Sequence, residues 1–433
     1  MPKSTYYIDS IYRSEGSDPA EGYITLISTD ADEEGSFIPY TIPFNTMPMV
    51  RAEDGLREVR ENTYVYLSKY NPDEPVVFED RNTSPYAEQQ FSEMAELRQL
   101  LDEAYSNATD ELTEEEFLIL THPTEIYSYH VNVGHGNCSL ILVKSGYKHI
   151  LWMVDASTME GVNFMAPKTD HSSSLHQCLE EIAQRVDAQI SQLHINRFFL
   201  THPHYDHFNG VFYLHKIGLL DKDTVYYINY YYDCSCEPYK NYLQYLYKNK
   251  YKIIEPTEWN CIASIMYILH PERRIFRTDK LLPSSNRPYR VVENVNNASV
   301  VYCFCIGDRT MIFPGDLQHE GFDAMTKDRS CCYRRYFPDY YAISHHGSGN
   351  GHPQQRCMSH HRPLYPLRCL TSSLKKAVLM GRDGAYSKIF DSKVTAYFSN
   401  KGELVSTDMR RGKASLHYLR LNWLSGYVDY KFE

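Results

Sequence analysis

Several common features are missing from this 433-residue sequence, and each absence narrows the class of protein. No apolar run approaches the roughly 18 residues that a membrane-spanning helix needs. The first residues, Met1 to Thr5, form no apolar segment of the kind found in signal peptides. We therefore expect a cytoplasmic protein with no membrane partner, whose 11 cysteines are mostly free and reduced. No internal repeat or low-complexity tract is present, so a repeat architecture is not expected.

An excess of basic residues is also absent, since the formal net charge is −11. A chain of this charge is not expected to bind polyanions non-specifically. The first third is rich in acid, whereas basic residues mixed with aromatic ones cluster at 273–277, 334–337 and 409–413. Two interpretations of these clusters stay open. In the first, the clusters form a basic groove on an acidic protein. In the second, they lie on solvated helix faces, and this is the commoner explanation of any single cluster.

The sequence pattern divides the chain into two parts, for which its length gives room. Residues 1–122 predict short strands, an amphipathic helix over about 86–106 and a short helix over 113–120, with Thr113 and Glu116 as a capping box. We expect a small acidic α+β domain or extension there, whose role its residues do not reveal. Residues 123–433 predict a larger domain in which strands alternate with helices near 173–193, 237–249 and 318–327.

Three histidines and one aspartate lie within the seven residues Thr201-His202-Pro203-His204-Tyr205-Asp206-His207. They follow the apolar segment 195–200, which predicts a short buried strand. Histidines two apart in an extended segment point to the same side, so His202 and His204 can converge on one ion. The turn that follows brings Asp206 and His207 to a neighbouring point. This arrangement predicts a two-metal site, and its density makes unrelated loop histidines a poor explanation.

The spacing His-x-His-x-Asp-His resembles the signature of the metallo-β-lactamase fold. That resemblance implies an α/β (α+β) protein built as a four-layer αββα sandwich, whose hydrolases bind one or two Zn²⁺, or sometimes Mn²⁺ or Fe, at the sandwich edge. Three further motifs follow at predicted strand ends, and they are Asn296-Asn297-Ala298-Ser299, Pro314-Gly315-Asp316 and Ser344-His345-His346-Gly347-Ser348. Together with an acid after the third predicted strand, Asp155, they resemble the ComEC-like branch, named for the competence DNA-uptake protein.

The resemblance to that branch covers roughly residues 125–420, with one departure at the first glycine turn. The branch usually has Asp-Val-Gly-Gln-Gly-Asp there, whereas this chain has Asn-Val-Gly-His-Gly-Asn at 132–137. The glycines that allow the turn are kept. The two acidic side chains are replaced by amides, so any function that depends on their charges is not expected here.

The resemblance implies a metal ligand at each of six positions. His202 and His204 would bind the first ion, and Asp206 and His207 the second. Asp316 would bridge the two ions, and His346 would complete the second site because the last ligand of the family directly precedes a glycine. Two residues would act in catalysis as well: Asp206 would orient the attacking water, and His345 would support a ligand or contact the substrate. The six predicted ligands are His202, His204, Asp206, His207, Asp316 and His346.

The expected cofactors are two divalent ions, with Zn²⁺ as the first choice and Mn²⁺ as its substitute. Many enzymes of this fold have a further histidine on the first ion, where this chain has Asn297 and Ser299, so we expect that ion to be held more weakly. His270 is an alternative ligand, although Leu269-His270-Pro271 more often marks a strand end. A separate zinc site is left open in the segment 350–371, whose spacing fits no standard zinc module. Its potential ligands are His352, Cys357, His360, His361 and Cys369.

Two divalent ions would supply a metal-bound hydroxide, so we expect a hydrolase that needs no serine or cysteine nucleophile. The first hypothesis is a nuclease or phosphodiesterase, which the resemblance and the basic and aromatic clusters favour, with nucleic acid or another phosphodiester as substrate. The alternatives are a hydrolase of an amide, peptide or small-molecule ester or lactone, and a binding or regulatory protein with a vestigial site. By analogy, the N-terminal domain suggests a protein partner and a role as an effector in a multi-gene defence system.

Overall fold

The structure of the protein is a computed structural model. It describes residues 4–13, 22–29, 39–53, 55–67, 70, 74–134, 136–158, 173–230, 236–256, 261–270, 295–318, 321–322, 338–351, 373–381, 390–411 and 414–432. The open zinc site at 350–371, apart from residues 350 and 351, lies outside these ranges. So do the basic clusters at 273–277 and 334–337 and most of the helix predicted near 318–327. Within the described ranges, no helix is long and apolar enough to span a bilayer.

The N-terminal part of the chain forms a seven-stranded sheet with the strand order β3-β2-β1-β6-β7-β4-β5. Its strands are β1 (Ser4–Arg13), β2 (Gly22–Ser28), β3 (Pro39–Phe44), β4 (Met49–Ala52), β5 (Gly55–Glu58), β6 (Thr63–Leu67) and β7 (Val77–Asp80). Successive residues of a strand face opposite sides of the sheet. Ile8 therefore packs in a core that belongs to this sheet, whereas Tyr7 packs in the core that continues into the rest of the protein.

Two helices follow this sheet, as the sequence pattern predicts. Helix α1 (Pro85–Tyr105) begins after Ser84, whose side chain accepts a hydrogen bond from the Ala87 N–H. Helix α2 (Glu114–Thr121) begins with the predicted capping box, in which Thr113 Oγ1 and the Glu116 carboxylate each accept from the other residue's N–H. Both helix predictions are confirmed. Because α2 packs on strands that come after it, the proposed division of the chain between residues 122 and 123 stays a prediction.

The remaining chain builds two larger sheets with helices between the strands. The elements are β8 (Glu125–Val131), β9 (Cys138–Ser145), β10 (Lys148–Ala156), α3 (Ser174–Arg185), β11 (Arg197–Phe199), α4 (Tyr205–Phe208), α5 (Val211–Lys216), β12 (Val225–Tyr227), α6 (Glu237–Lys248), β13 (Lys252–Ile254), β14 (Cys261–Ile262), β15 (Met266–His270), β16 (Val301–Ile306), β17 (Arg309–Phe313), β18 (Tyr340–Ala342), β19 (Lys376–Leu379), α7 (Ser392–Ser399), β20 (Glu403–Ser406), β21 (Arg410–Arg411), β22 (Ala414–Asn422) and β23 (Val428–Phe432). One sheet has the order β13-β12-β11-β10-β9-β8-β22-β21, with β23 beside β22, and the other runs from β14 to β20 in sequence order.

These two sheets pack face to face with helices outside them. Trp152 of β10 and Phe304 of β16 meet in the core between the sheets, with ring centroids 5.5 Å apart. Helices α3 and α6 cover the outer face of the first sheet through residues such as Leu179 and Tyr242. Helix α7 covers the outer face of the second sheet through Phe398. This arrangement is the predicted αββα sandwich, and the predicted fold class is confirmed.

Parallel pairing determines where the loops of the two sheets meet. Strand β10 pairs in parallel with β11, and β17 pairs in parallel with β18. The carboxyl ends of each pair therefore lie at the same edge of their sheet. Asp155 lies at the end of β10, and the segment 201–207, the turn at 314–316 and the turn at 344–347 follow the ends of β11, β17 and β18. Residues far apart in sequence are thus placed together at one edge of the sandwich.

Candidate metal centre

The histidine-rich segment leaves β11 as extended chain and then turns into the short helix α4. His202 and His204 lie in the extended part, and Asp206 and His207 lie in the first turn of α4. His202 Nε2 and His204 Nδ1 face each other at 3.0 Å. Two nitrogens bound to one tetrahedral zinc ion lie about 3.4 Å apart. The predicted convergence of these two rings is therefore present in the structure.

Two groups of side chains in the described residues bring their ligand atoms within 4.8 Å of one another. The first consists of His202, His207 and Asp316, and the second of Asp206, His207 and His346. Asp316 Oδ2 lies 3.4 Å from His207 Nε2 and 3.4 Å from His346 Nε2. Asp206 Oδ2 lies 3.8 Å from His207 Nε2 and 4.0 Å from His346 Nε2. The two groups share His207, so they form one continuous cluster.

This cluster differs in detail from the ligand sets that the sequence predicts. His207 belongs to both groups, whereas the prediction places it with the second ion alone. His204 belongs to neither group, although it contacts His202. The structure brings all six predicted residues to one place, and their division between two ions stays a prediction.

Asp155 fixes the orientation of the His207 ring. It is fully buried, and its Oδ2 accepts a hydrogen bond from His207 Nδ1 at 2.8 Å. Since Nδ1 is the donor, the neutral ring of His207 would have its lone pair on Nε2, which faces Asp206 and Asp316. A carboxylate in this position sets the tautomer of a metal-binding histidine.

Asp155 also reaches His202 through the hydroxyl of Thr201. It accepts hydrogen bonds from Thr201 N and Thr201 Oγ1, both at 2.8 Å. Thr201 Oγ1 uses its proton in that bond, so it accepts from His202 Nδ1 at 3.1 Å. The lone pair of His202 is then on Nε2, towards the cluster. One carboxylate therefore orients two predicted ligands.

The turn that carries the two adjacent histidines has an uncommon backbone. His345 and His346 both have left-handed backbone angles, with φ of 48° and 51°. Ser344 Oγ donates to the carbonyl oxygens of Gly315 and Leu317 and so fastens this turn to the turn that carries Asp316. Backbone strain of this kind persists only where the surroundings enforce it, and it is concentrated at functional sites.

The two histidines of this turn play different parts. His346 Nδ1 donates to the Met380 carbonyl oxygen at 3.2 Å, which leaves Nε2 facing Asp316. His345 Nδ1 lies 2.9 Å from Ser348 Oγ, and its Nε2 lies 3.9 Å from Asp316 Oδ2. Among the described residues, His346 is part of a ligand group and His345 is not. His346 as the ligand of the second ion stays a prediction, and its Nε2 is the ring nitrogen that lies among the other predicted ligands.

Two glycines are required by the close packing around the cluster. Gly136 has φ of +106°, and a Cβ there would lie 2.1 Å from the carbonyl oxygen of Asp206. Gly315 has φ of +57°, and a Cβ there would lie 2.6 Å from Thr201 Cβ. Neither position can accept a side chain without moving the segments that carry the predicted ligands.

Burial and charge together set the protonation of the cluster. Burial lowers the pKa of His204 to about 4 and holds the pKa of His202 well below its ordinary value, so both rings are neutral at pH 7. Burial also opposes a charge on His207, but Asp316, Asp206 and Asp155 hold its pKa well above the ordinary value. Burial disfavours ionised Asp316 as well, yet His346 and His207 keep its pKa well below the usual range. Asp316 is therefore a carboxylate that needs positive charge beside it.

The residues of this cluster fit a bound metal ion. His207 Nε2 and Asp316 Oδ1 are buried and have no hydrogen-bond partner among the described residues. Leaving such atoms without a partner is unfavourable unless a ligand satisfies them. Imidazole nitrogens and carboxylate oxygens, oriented by a buried carboxylate, are the donors that Zn²⁺ and Mn²⁺ take in proteins.

Comparison with known proteins agrees with this geometry. The model of the family described as the metallo-beta-lactamase superfamily matches residues 131–350, half of the chain. The chain belongs to the metallo-beta-lactamase superfamily. This matched region contains every predicted ligand and both strand pairs that deliver them. The superfamily consists largely of hydrolases that bind divalent metals, and the histidine and aspartate groups of this chain could hold such an ion.

Two solved structures are similar to this chain at low identity. The crystal structure of unliganded yeast PDE1 has a TM-score of 0.32 and 13% identity, over 67% of this chain and 99% of that chain. The crystal structure of a long-form RNase Z from yeast has a TM-score of 0.30 and 12% identity, over 76% of this chain and 48% of that chain. No curated protein sequence matches the chain significantly. Similarity at this level says nothing of the substrate.

Asn297, at the predicted position of the further histidine, and His270, the alternative ligand, both form hydrogen bonds to backbone groups. Asn297 Oδ1 accepts a hydrogen bond from the Gly321 N–H at 3.0 Å, and its carbonyl oxygen accepts from His270 Nε2 at 3.0 Å. His270 is the last residue of β15, which agrees with the interpretation of Leu269-His270-Pro271 as a strand end. Asn297 and His270 therefore hold the backbone of this region in place.

Sequence reasoning noted Asp155 only as an acid after a strand and did not assign it a role. Its position could have indicated a role, because an acid at the carboxyl end of β10 lies beside the end of the neighbouring parallel strand β11, where the histidine-rich segment begins. Thr201 was not singled out at all. It immediately precedes the first histidine, and a hydroxyl there can join a carboxylate to a ring nitrogen.

Asp155→Asn is expected to weaken metal binding about 10- to 100-fold. If the amide oxygen accepts from Thr201 N, the amide nitrogen faces His207 Nδ1 and forces the ring into the tautomer with its proton on Nε2. The affinity for Zn²⁺ is measured by competition with a coloured chelator. Thr224→Val is the control, because the Thr224 hydroxyl is buried and donates to the Ile195 carbonyl at the other end of β11. Equal affinities in the two variants would contradict this role of Asp155.

Proposed function

We propose that the protein is a metal-dependent hydrolase with a site for two divalent ions, Zn²⁺ or Mn²⁺, and that it cleaves phosphodiester bonds. The observation that carries this proposal is the pair of ligand groups that share His207, in a cluster that also contains Asp206, Asp316 and His346. When bound, two neighbouring divalent ions supply a deprotonated water at neutral pH and hold the oxygens of an in-line displacement. His202 and His204 would hold the first ion, and Asp206, His207 and His346 the second, with Asp316 between them, because the one free ring nitrogen of His207 can bind only one ion.

The side chains of this site differ in how much of each is exposed. His202, His207, His346 and Asp316 are buried, the Asp206 side chain is 14% exposed, and His345 is buried with 10% of its side chain exposed. Substrate would therefore approach from the side of Asp206 and His345. Asp206 is the carboxylate placed to orient a water and accept its proton, and His345 is placed to donate a hydrogen bond to a substrate oxygen. No serine or cysteine is needed as nucleophile.

The motifs of the ComEC-like branch support a phosphodiester as the substrate. The motif that contains Asn297 and Ser299 is adjacent to the histidine-rich segment, since the Val300 N–H donates to the Thr201 carbonyl oxygen at 2.8 Å. The Arg410 and Arg411 side chains are exposed. Phosphate contacts by such arginines would raise affinity for nucleic acid in a salt-dependent way. Membership of that branch and the nuclease activity are both proposals.

The proposed activity is tested by metal analysis together with a substrate panel. Purified protein should contain about two Zn²⁺ or Mn²⁺ per chain after reconstitution. The panel contains single-stranded DNA, single-stranded RNA, a chromogenic phosphodiester, a lactone and a casein peptide, each with and without chelator. Chelator-sensitive cleavage of a phosphodiester is the expected result. Cleavage of the lactone or peptide alone would overturn the choice of substrate, and absence of metal under all conditions would overturn the hydrolase.

A further inference from the structure

A residue of the N-terminal sheet reaches into the histidine-rich segment. Asp9 lies in β1 and is 2% exposed, and its Oδ2 accepts a hydrogen bond from the Tyr205 N–H at 3.2 Å. Tyr205 stands between His204 and Asp206, at the point where the extended segment turns into α4. The contact joins residues separated by 196 positions. It therefore connects the N-terminal sheet directly with the backbone that carries predicted ligands.

An irregularity in β1 gives Asp9 its position. The pairing of β1 with β2 shifts register between Ile8 and Ser10, and the pairing of β1 with β6 ends at Ile8. Asp9 is thus the extra residue of a β-bulge. Bulges redirect a side chain and are over-represented beside active sites. Here the bulge is found in an inner strand of the sheet, at the residue that contacts the histidine-rich segment.

Helix α1, which packs on Tyr64 of the N-terminal sheet, is joined to α6 of the superfamily fold. The Tyr86 hydroxyl donates to the Glu237 carboxylate, so the start of α1 is joined to the start of α6. Lys240 of α6 is buried and donates to Gln90 and Glu93 of α1. These contacts hold the sheet in one place relative to α6. The position of Asp9 relative to α4 is therefore defined by more than its own hydrogen bond.

Burying a carboxylate in a sheet costs desolvation free energy unless hydrogen bonds from the protein offset it. Ile8, the preceding residue, faces the sheet's own apolar core. Asp9 instead faces the segment between two predicted ligands, and a side chain that only filled space there would not need to be charged. This placement indicates a role in holding the ligand backbone.

We propose that Asp9 is a positioning residue of the metal centre. By accepting from the Tyr205 N–H, it holds His204 and Asp206 in the geometry in which both can bind an ion. The N-terminal sheet is then part of the metal site and not only a place for partners to bind. This inference rests on the proposed two-metal site. Residues that hold metal ligands in place commonly change metal affinity by 10- to 100-fold when they are replaced, so an effect of about that size is expected here.

The test compares three variants of the full chain with the wild type. Asp9→Ala removes the acceptor of the hydrogen bond from Tyr205. Asp9→Asn keeps an acceptor oxygen and the size of the side chain. Ile8→Ala removes apolar contacts in the core of the N-terminal sheet, on the face away from the metal centre. The affinity for Zn²⁺ alone is measured by calorimetric titration of metal-free protein, and thermal unfolding is followed for each variant. The visible spectrum of Co²⁺-loaded protein reports the geometry of the ligands directly.

Asp9→Ala should weaken the affinity for at least one ion about 10- to 100-fold and change the Co²⁺ spectrum. Asp9→Asn should bind Zn²⁺ more tightly than Asp9→Ala and less tightly than the wild type. If Asp9→Ala does not fold, Asp9→Asn alone is compared with the wild type. Ile8→Ala should lower the unfolding temperature while its affinity and spectrum stay those of the wild type. Wild-type affinity in both Asp9 variants would overturn the inference, and so would an equal loss in Ile8→Ala. A wild type that binds no metal would overturn the proposed function itself.

Discussion

Asp316→Asn is expected to lower hydrolysis roughly 10³-fold or more, as removal of a central catalytic group does in other hydrolases. Asp316 lies 3.4 Å from the Nε2 atoms of both His207 and His346, nearer to each of these two atoms than Asp206. Asparagine keeps the volume and removes the negative charge that two divalent ions need between them. Metal content should fall below two ions per chain, because at least one ligand group loses its anionic member.

The matched control for this change is Asp339→Asn. Asp339 lies just before β18, accepts from the Thr310 N–H at 3.0 Å and pairs with Lys375 at 2.7 Å, so it is a strand-end aspartate outside the cluster. Its replacement should leave metal content and rate near those of the wild type. The measurements are elemental analysis and the initial rate on the best substrate of the panel. If Asp316→Asn kept two ions and a wild-type rate, the role of Asp316 as the central ligand would be wrong.

The ligand cluster could be predicted from the sequence because its parts are local. Four of the six predicted ligands lie within His202 to His207, and the other two follow strand ends in short motifs that contain glycine. Such positions are readable because a strand determines where the next residues emerge. The αββα sandwich was predictable for the same reason, since alternating strands and helices restrict the number of arrangements.

Other parts of the site depend on contacts between distant segments, and no local pattern reveals those. The Asp9 contact with Tyr205 and the two hydrogen bonds from Thr201 to Asp155 become visible only in three dimensions. The order of the N-terminal sheet is a further example, because β4 pairs in parallel with β7 and antiparallel with β5. The division of ligands between two ions depends on side-chain directions that spacing does not determine.

A buried ion network supports the strand that leads into the metal segment. Arg197, the first residue of β11, has a side chain that is 3% exposed and donates to both oxygens of Asp110, at 2.6 and 3.1 Å. It also donates to Glu116 of α2 at 2.6 Å. The Tyr227 hydroxyl donates to Asp110 at 2.9 Å from the neighbouring strand. Burial opposes the charge on Arg197, but Asp110 and Glu116 raise its pKa above the ordinary value and keep it charged.

Arg197→Met is expected to lower the free energy of unfolding by about 3 kcal/mol, because the buried Asp110 carboxylate loses its bidentate partner and keeps only Lys252, at 3.9 Å, and the Tyr227 hydroxyl. The double variant Arg197→Met with Asp110→Leu should recover a large part of that loss, since no unpaired charge then remains between those two positions. Lys148→Met is the control. Lys148 forms an exposed ion pair with Glu115, so its loss should change stability by about 1 kcal/mol or less.

Urea unfolding of the three variants and the wild type measures these differences, provided that the slopes of the transitions agree. The network reaches from the segment before α2 to the start of β11, only four positions before Thr201. Loosening it should therefore also reduce metal affinity in Arg197→Met, and the double variant should restore affinity together with stability. If Arg197→Met cost no more than Lys148→Met, the network would contribute nothing beyond a surface pair. If stability fell while metal affinity stayed unchanged, β11 would hold the ligand segment without help from Arg197.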